Sequence, residues 1–184
     1  MKDILINIEK ALSIAGEILN TSFGKVIESE QKQDQSNIVT QADLDSEHAI
    51  INFLKTQYPD HNFLAEETGF QNQNSEFTWV IDPLDGTSNF ASRIPWFGII
   101  IALLKNGIPF ATGVSLPQQN DIYMALKGEG TFLNGKKVSV SNETDLKKVL
   151  FSYCLDFCSK DGQTDYESRI IAQLVRRIRN LRST

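Results

Sequence analysis

Residues 79–90, with the sequence WVIDPLDGTSNF, join an apolar run to a charged turn. Trp79–Ile81 predicts a buried strand, and the proline and glycine that follow predict a turn. Asp82 and Asp85 leave the end of this strand together, and two carboxylates so close repel each other unless a cation lies between them. Because binding residues are commonly held on the rigid ends of strands, the stretch predicts a cation site that the rest of the chain completes.

Composition limits the possible functions. The chain has 184 residues, of which 41% are hydrophobic and 22% charged, as expected of one globular domain or of one and part of another. The net charge of −5 argues against a general nucleic-acid binder, which needs a basic surface. No apolar run reaches membrane-spanning length, the first residues do not form a signal peptide, and the presence of only two cysteines suits a reducing compartment. We therefore expect a soluble, cytoplasmic protein with no membrane partner.

The spacing of apolar residues predicts the fold class. Residues 3–23 repeat apolar side chains every three or four positions, which is typical of an amphipathic helix. A second helix is predicted from about Thr40 to Tyr58, and a third over residues 165–181, while the polar residues 24–41 predict a mobile loop or frayed hairpin. Apolar runs divided by Gly, Pro and Asn predict strands over residues 63–65, 79–81, 97–104, 110–116, 121–126, 131–140 and 149–155. This order predicts an α+β fold with helices layered on a largely antiparallel sheet.

Two further acidic residues and a lysine are candidates for the same site. Glu66 follows the strand 63–65, and it would meet the aspartates if that strand runs beside Trp79–Ile81 and ends level with it. Asp43 lies near a helix start, where the residues alone favour an N-terminal cap over chemistry. Lys32 could reach over a site from the polar loop, although a solvated lysine is the more ordinary interpretation.

Histidine and cysteine chemistry is not required by this hypothesis. His48 lies within the second helix and His61 in a polar turn, and both are expected at the surface. Cys154 and Cys158 have no second cysteine pair, which argues against a zinc site and favours buried free thiols.

The motif DPLDGTSNF at residues 82–90, preceded by WVI, resembles the signature of the inositol monophosphatase family of magnesium-dependent, lithium-sensitive phosphatases. Three other stretches resemble family motifs in the same order: VTQAD at 39–43, AEET at 65–68 and GEGTFLNGKKVSVS at 128–141. The resemblance extends over essentially the whole chain. It implies the first half of that family's fold, Mg²⁺ as cofactor, a small phosphorylated substrate and a homodimer.

The resemblance also implies a set of metal ligands. Glu66 and Asp82 would bind a first metal together with the backbone carbonyl of Leu84, and Asp82 and Asp85 would hold a second. The chemistry is consistent with this set, because Mg²⁺ prefers carboxylates, carbonyls and water as ligands.

Roles in catalysis and phosphate binding follow from the same resemblance. Gly86 and Thr87 would offer backbone N–H groups to the phosphate, and the Thr87 hydroxyl with Asp43 would orient the attacking water. Asp43 thereby changes from a predicted cap to a predicted catalytic residue, beside Thr87 and Glu66. Lys32 would correspond to a lysine on a mobile loop of the family.

The chain departs from the family in one respect. Family members continue further and carry a Trp-Asp pair that completes the second metal site, and no such pair occurs here. The resemblance therefore implies a metal-binding domain over residues 1–148, followed at 149–184 by the start of a second, apparently incomplete α/β domain. Low turnover is expected of the chain as given.

The predicted function is hydrolysis of inositol monophosphate, or of a related polyol phosphate, by metal-activated water. A bisphosphate nucleotidase or fructose-bisphosphatase activity is the alternative within the family. A truncated, non-catalytic interaction protein is the alternative outside it.

Overall fold

The computed structural model of the protein describes residues 2–25, 29–31, 38–153 and 163–183. The chain forms two compact units, Met1–Ser139 and Val140–Thr184. The predicted domains, residues 1–148 and 149–184, stay a prediction. None of the helices in the described segments combines the length and apolar character needed to cross a membrane.

The first unit is a mostly antiparallel sheet covered by helices, as predicted. Its helices are α1 (Lys2–Ser22), α2 (Gln41–Gln57) and the short α3 (Thr87–Ala91). β1 (Ser29–Gln31) and β2 (Ile38–Thr40) pair in antiparallel orientation, which is the pairing expected of the hairpin predicted there. The large sheet contains β3 (Asn62–Ala65), β4 (Gly69–Gln71), β5 (Phe77–Asp85), β6 (Gly98–Lys105), β7 (Ile108–Leu116), β8 (Asp121–Leu126), β9 (Gly130–Leu133) and β10 (Lys136–Val138).

The strands of this sheet lie in the order β10-β9-β8-β7-β6-β5-β3-β4. Neighbours are antiparallel except for β3 and β5, which run in parallel with Ala65 opposite Ile81. Glu66 therefore follows β3 at the level of Asp82 in β5, which meets the condition that the sequence set for Glu66 to approach the aspartates. The sequence did not predict β4 or α3, because three to five residues carry too little periodicity to be recognised.

The core lies between one face of the sheet and the two long helices. In β5 and β6 every second side chain is buried, and in α1 the buried residues recur every three or four positions. α1 packs across β6, β7 and β8, while α2 packs against α1 and β5. The largest fully buried side chains include Ile8, Leu12, Leu19, Ile50, Leu54, Phe63, Trp79, Phe90, Ile99, Ile101 and Leu103. This core fixes the ends of β3 and β5, where the predicted site residues begin.

The second unit pairs two strands around a helix. β11 (Leu150–Tyr153) and β12 (Asn180–Ser183) run in parallel, and α4 (Gln163–Leu174) lies between them in the chain. The predicted helix over 165–181 is therefore too long. Residues 180–183 instead form the β12 ladder, and a parallel pair needs a turn that returns the chain from the helix to the sheet.

The arginines near the end of the chain lie outside the helix. Arg176 and Arg177 follow α4, Arg179 precedes β12 and donates its backbone N–H to the Val149 carbonyl, and Arg182 is part of the strand.

One testable consequence concerns Gly113 in β7, which has no room for a side chain because α1 lies over it. An added Cβ would contact Leu12 Cδ1 at 2.7 Å and Ile8 Cγ2 more closely still. Both neighbours are fully buried, so neither can move into solvent. We expect Gly113→Ala to lower the free energy of unfolding by about 1–3 kcal/mol, the usual cost of overpacking a core. Urea unfolding followed by tryptophan fluorescence measures this change.

Gly16→Ala is the matched control. Gly16 lies in α1, and a Cβ there would meet only Pro117, at 3.8 Å. Because alanine is the better helix former, this variant should be neutral or more stable by up to about 1 kcal/mol. Equal effects of the two substitutions would contradict the close packing of α1 on β7.

Candidate active site

A bulge in β5 positions the two aspartates of the central motif. Asp82 pairs with Ile100 and Asp85 with Gly98, so that two residues of β5 lie opposite Ile99 alone. Leu84 donates its backbone N–H to Asp82 Oδ1 at 3.2 Å, which turns the chain after the proline. The Leu84 side chain is buried and anchors the turn to the core.

Glu66 and Asp82 lie together at the ends of parallel strands. The pKa of Asp82 is raised from 3.8 to about 7, chiefly by burial and then by the neighbouring charges of Glu66 and Asp85 and a hydrogen bond with Glu66. The backbone N–H of Leu84 opposes this shift only in part. The structure thus places a carboxylate pair with a third negative charge nearby, in a position that favours a proton or another cation.

The donor set fits a hard divalent cation, because it consists of carboxylate and carbonyl oxygens. Within the described residues, no three Asp, Glu, His or Cys side chains are arranged to hold a single ion together. The structure therefore brings Glu66 to Asp82 and leaves Asp85 as a nearby charge. The complete ligand set of Glu66, Asp82, Asp85 and the Leu84 carbonyl stays a prediction.

Asp43 is both a cap and a site residue. Its Oδ2 accepts hydrogen bonds from the backbone N–H and the hydroxyl of Thr40, which closes the first turn of α2. Its Oδ1 accepts a hydrogen bond from the Thr87 hydroxyl at 3.0 Å. Burial raises the pKa of Asp43, although the hydrogen bonds from Thr40 and Thr87 act in the opposite direction. The two interpretations of Asp43 left open by the sequence are therefore compatible.

Thr87 connects this helix to the bulge. Its hydroxyl lies 3.0 Å from both Asp43 Oδ1 and the Leu84 carbonyl oxygen, and both are acceptors. The hydroxyl proton is directed toward those oxygens, so the oxygen lone pairs of Thr87 can accept a hydrogen bond from another molecule.

Gly86 allows the chain to turn from the bulge into α3. Its φ of +88° lies in the left-handed region, where side chains other than glycine are strained. A Cβ at this position would also approach the Trp96 carbonyl oxygen at 3.2 Å. Thr87 is the first residue of α3, so its backbone N–H belongs to the group that has no acceptor within a helix.

Two site residues were missed by the sequence analysis. Ser46 and Glu47 are fully buried in α2, three and four positions after Asp43, and therefore share its helix face. The Ser46 hydroxyl donates to the Pro83 carbonyl at 3.0 Å, and the Glu47 carboxylate accepts the backbone N–H groups of Glu67 and Thr68. Their spacing after Asp43 could have indicated that they share its helix face, but no local signal identifies the groups that they contact.

Other candidates lie elsewhere. Lys32, Cys154 and Cys158 fall outside the described residues. His48 is exposed, as predicted. His61 is half-buried and stacks between the rings of Tyr58 and Phe77, at centroid distances of 4.9 and 4.8 Å, so its prediction as a surface residue is wrong.

Comparison with known proteins decides the family. Residues 1–183 match the sequence profile of the inositol monophosphatase family. The chain belongs to this family. An inositol monophosphatase of Mesembryanthemum crystallinum is 31% identical over 99% of this chain and 68% of its own length. A protein of Aquifex aeolicus described as a fructose-1,6-bisphosphatase/inositol-1-monophosphatase is 34% identical over 77% of this chain and 56% of its own.

Solved structures of the inositol monophosphatase family share the fold. The Thermotoga maritima inositol monophosphatase matches all of this chain and 68% of its own, with a TM-score of 0.88 and 30% identity. The α+β architecture predicted from the sequence is confirmed. The chain spans little more than half the length of the Aquifex relative and about two thirds of the Thermotoga structure.

The raised pKa of Asp82 predicts how stability depends on pH and cations. A folded-state pKa above the unfolded value means that protonated Asp82 stabilises the fold below about pH 4, and that this contribution is lost as the pH rises through about 7. In EDTA, we expect the melting temperature to fall as the pH is raised from about 5 to about 8, because Asp82 loses its proton over this range. Mg²⁺ should raise the melting temperature more at the higher pH, because a cation and a proton compete for the same oxygens.

Asp82→Asn is the control for this experiment, because it removes the charge and keeps the shape. The difference between the parent chain and this variant isolates Asp82 from other titrating groups. The asparagine variant should show a weaker pH dependence in EDTA and little response to Mg²⁺. An equal Mg²⁺ response in both proteins would show that the cation binds elsewhere.

Proposed function

We propose that this protein is a Mg²⁺-dependent phosphomonoesterase that hydrolyses inositol monophosphate or a related small polyol phosphate. The observation that carries the proposal is that a carboxylate pair and a hydroxyl–carboxylate pair lie at the same turn. Glu66 and Asp82 form the first pair, whose charges favour a cation. Thr87 and Asp43 form the second, and the Thr87 hydroxyl is also hydrogen-bonded to the Leu84 carbonyl of that turn. A cation-binding pair beside a hydroxyl linked to a buried carboxylate is suited to activating water at a phosphate.

In this proposal Glu66, Asp82 and the Leu84 carbonyl hold the first cation, and Asp82 with Asp85 hold a second. A bound Mg²⁺ would make a coordinated water more acidic and would neutralise negative charge on the phosphate. Burial and the charges of Glu66 and Asp85 raise the pKa of Asp82, and these charges would also give the site its affinity, because a divalent cation relieves their repulsion.

Asp43 and Thr87 would orient the attacking water. Thr87 donates its own proton to Asp43 Oδ1 and can accept one from water at its free lone pair. Burial raises the pKa of Asp43, which makes this carboxylate a better proton acceptor than a solvated aspartate. The hydrogen bond between Asp43 in α2 and Thr87 at the start of α3 would hold the carboxylate and the hydroxyl in the positions that proton transfer needs.

The turn at Gly86 would bind the phosphate. Thr87 begins α3, and the first N–H groups of a helix are available to an anion. A side chain at Gly86 would strain the turn and press on the Trp96 carbonyl, so the backbone conformation that presents these N–H groups depends on glycine.

The choice among substrates is tested with a panel containing inositol monophosphate, fructose 1,6-bisphosphate and a 3′,5′-bisphosphate nucleotide. The second compound is included because the Aquifex relative's description names that activity. Release of inorganic phosphate is measured with Mg²⁺ and with EDTA, at protein concentrations near that of substrate so that slow release is also detected. We expect release with Mg²⁺ alone, fastest from inositol monophosphate.

Asp82→Asn is the control in this assay and should abolish release. Release that persists in EDTA or in the asparagine variant would overturn the proposal. A chain that binds partners and releases no phosphate would instead favour the interaction protein.

The role of Thr87 predicts a difference between two substitutions. Thr87→Val keeps the shape and removes the hydroxyl, so it should lower kcat by about 10²–10⁴, the usual contribution of a general acid–base group. Thr87→Ser keeps the hydroxyl and should retain most of the activity. Similar rates for valine and serine would contradict the role of the hydroxyl, provided that both variants melt at the parent's temperature.

A further inference from the structure

Glu47 is a fully buried carboxylate in the middle of α2. Its Oε2 accepts the backbone N–H of Glu67 and its Oε1 accepts that of Thr68, each at 2.8 Å. This bidentate arrangement ties the helix to the turn that follows β3. Acceptance at both oxygens is the pattern of an ionised carboxylate.

The residues of the turn are themselves largely outside the core: Glu66 and Thr68 are exposed and Glu67 is half-buried. Burying a carboxylate costs free energy that two charge-assisted hydrogen bonds offset only if they are well aligned. The effect of Glu47 is therefore to fix the position of the turn that follows β3.

The residue whose position is fixed is Glu66. Its own backbone N–H donates to the Ile81 carbonyl of the neighbouring strand at 3.2 Å, and Glu47 holds the next two N–H groups of the chain. The backbone of Glu66 is thus held from β5 on one side and from α2 on the other. These contacts direct its carboxyl group toward Asp82, with which it interacts.

The same face of α2 holds the other parts of the site. Asp43 bonds to Thr87, and Ser46 bonds to the Pro83 carbonyl between the two aspartates. One rigid helix face therefore sets the relative positions of the segments that carry the candidate catalytic and metal-binding groups. Glu47 is the connection to Glu66.

We infer that Glu47 is a positioning residue that sets the affinity of the site for a divalent cation by fixing the backbone at Glu66. The inference rests on the proposed function, because it assigns a cation to the Glu66–Asp82 pair. Glu47 is not among the proposed ligands of the cation, because both of its oxygens accept backbone N–H groups. Partners that orient metal ligands commonly change metal affinity by about 10–100-fold when they are replaced.

Glu47→Gln tests the inference, because glutamine keeps the shape but replaces one of the two accepting oxygens with an NH2 group, which can only donate and cannot accept the N–H that faces it. We expect its dissociation constant for Mg²⁺ to rise by about tenfold or more, as measured by calorimetric titration of the 184-residue chain. We also expect saturating Mg²⁺ to return phosphate release close to the parent's rate. Glu47→Asp, which keeps the charge on a shorter side chain, should give an intermediate affinity and serves in the same titration if the glutamine variant does not fold.

Asn62→Ala is the matched control. Asn62 is also buried and also accepts two backbone N–H groups of a loop, from Gln73 at 2.7 Å and Ser75 at 3.2 Å, but at the opposite end of β3. Its loss should lower the melting temperature and leave the Mg²⁺ affinity unchanged.

The outcomes separate the two proposals. A parent chain that binds no Mg²⁺ overturns both. If the parent chain binds Mg²⁺, two results overturn the role of Glu47 alone. One is an unchanged Mg²⁺ affinity in the folded Glu47 variant, and the other is an equal loss of Mg²⁺ affinity in Asn62→Ala.

Discussion

Repulsion among Glu66, Asp82 and Asp85 is the interaction on which the arrangement of the site depends. Carboxylates at neighbouring positions on adjacent strands repel each other, and they would move apart if the fold did not hold them. They stay together because β3 and β5 are held by buried side chains beneath them, such as Phe63 and Trp79. Each such side chain contributes about 1.5–3 kcal/mol of burial free energy. Burial first, and then this repulsion, raise the pKa of Asp82 to about 7, so the ionised side chain destabilises the fold when no cation is present.

The site also depends on the polar face of α2, because this face holds the turns that carry the repelling carboxylates. An apolar face would pack well on the sheet but would leave the turns after β3 and β5 free to separate their charges. Instead Asp43, Ser46 and Glu47 are buried and each bonds a different segment. Such groups are tolerated inside a protein only when their hydrogen bonds are made, so the helix and the turns can be correctly placed only together.

The sequence predicted the parts of this arrangement that depend on local pattern. The position of Glu66 level with Asp82 was predicted on the condition that β3 runs beside β5, since each apolar run is followed by carboxylates. Glu47 could not be predicted, since a glutamate inside a helix is usually solvated and nothing local identifies the N–H groups that it meets. The end of α4 was misplaced for a related reason: pairing of Asn180–Ser183 with β11 overrides a local pattern that is compatible with helix. His61 was misjudged because its stacking partners come from α2's end and from β5.

Asp43 shows why a capping role and a chemical role need not compete. A carboxylate has two oxygens, and in this protein Thr40 occupies one while Thr87 occupies the other. The cap fixes the side chain against the first turn of α2, and that fixation gives the bond to Thr87 a defined direction. A mobile aspartate would have to lose side-chain entropy each time it oriented the hydroxyl. The cap has already ordered the side chain during folding, so the residue is preorganised for the role that we propose for it.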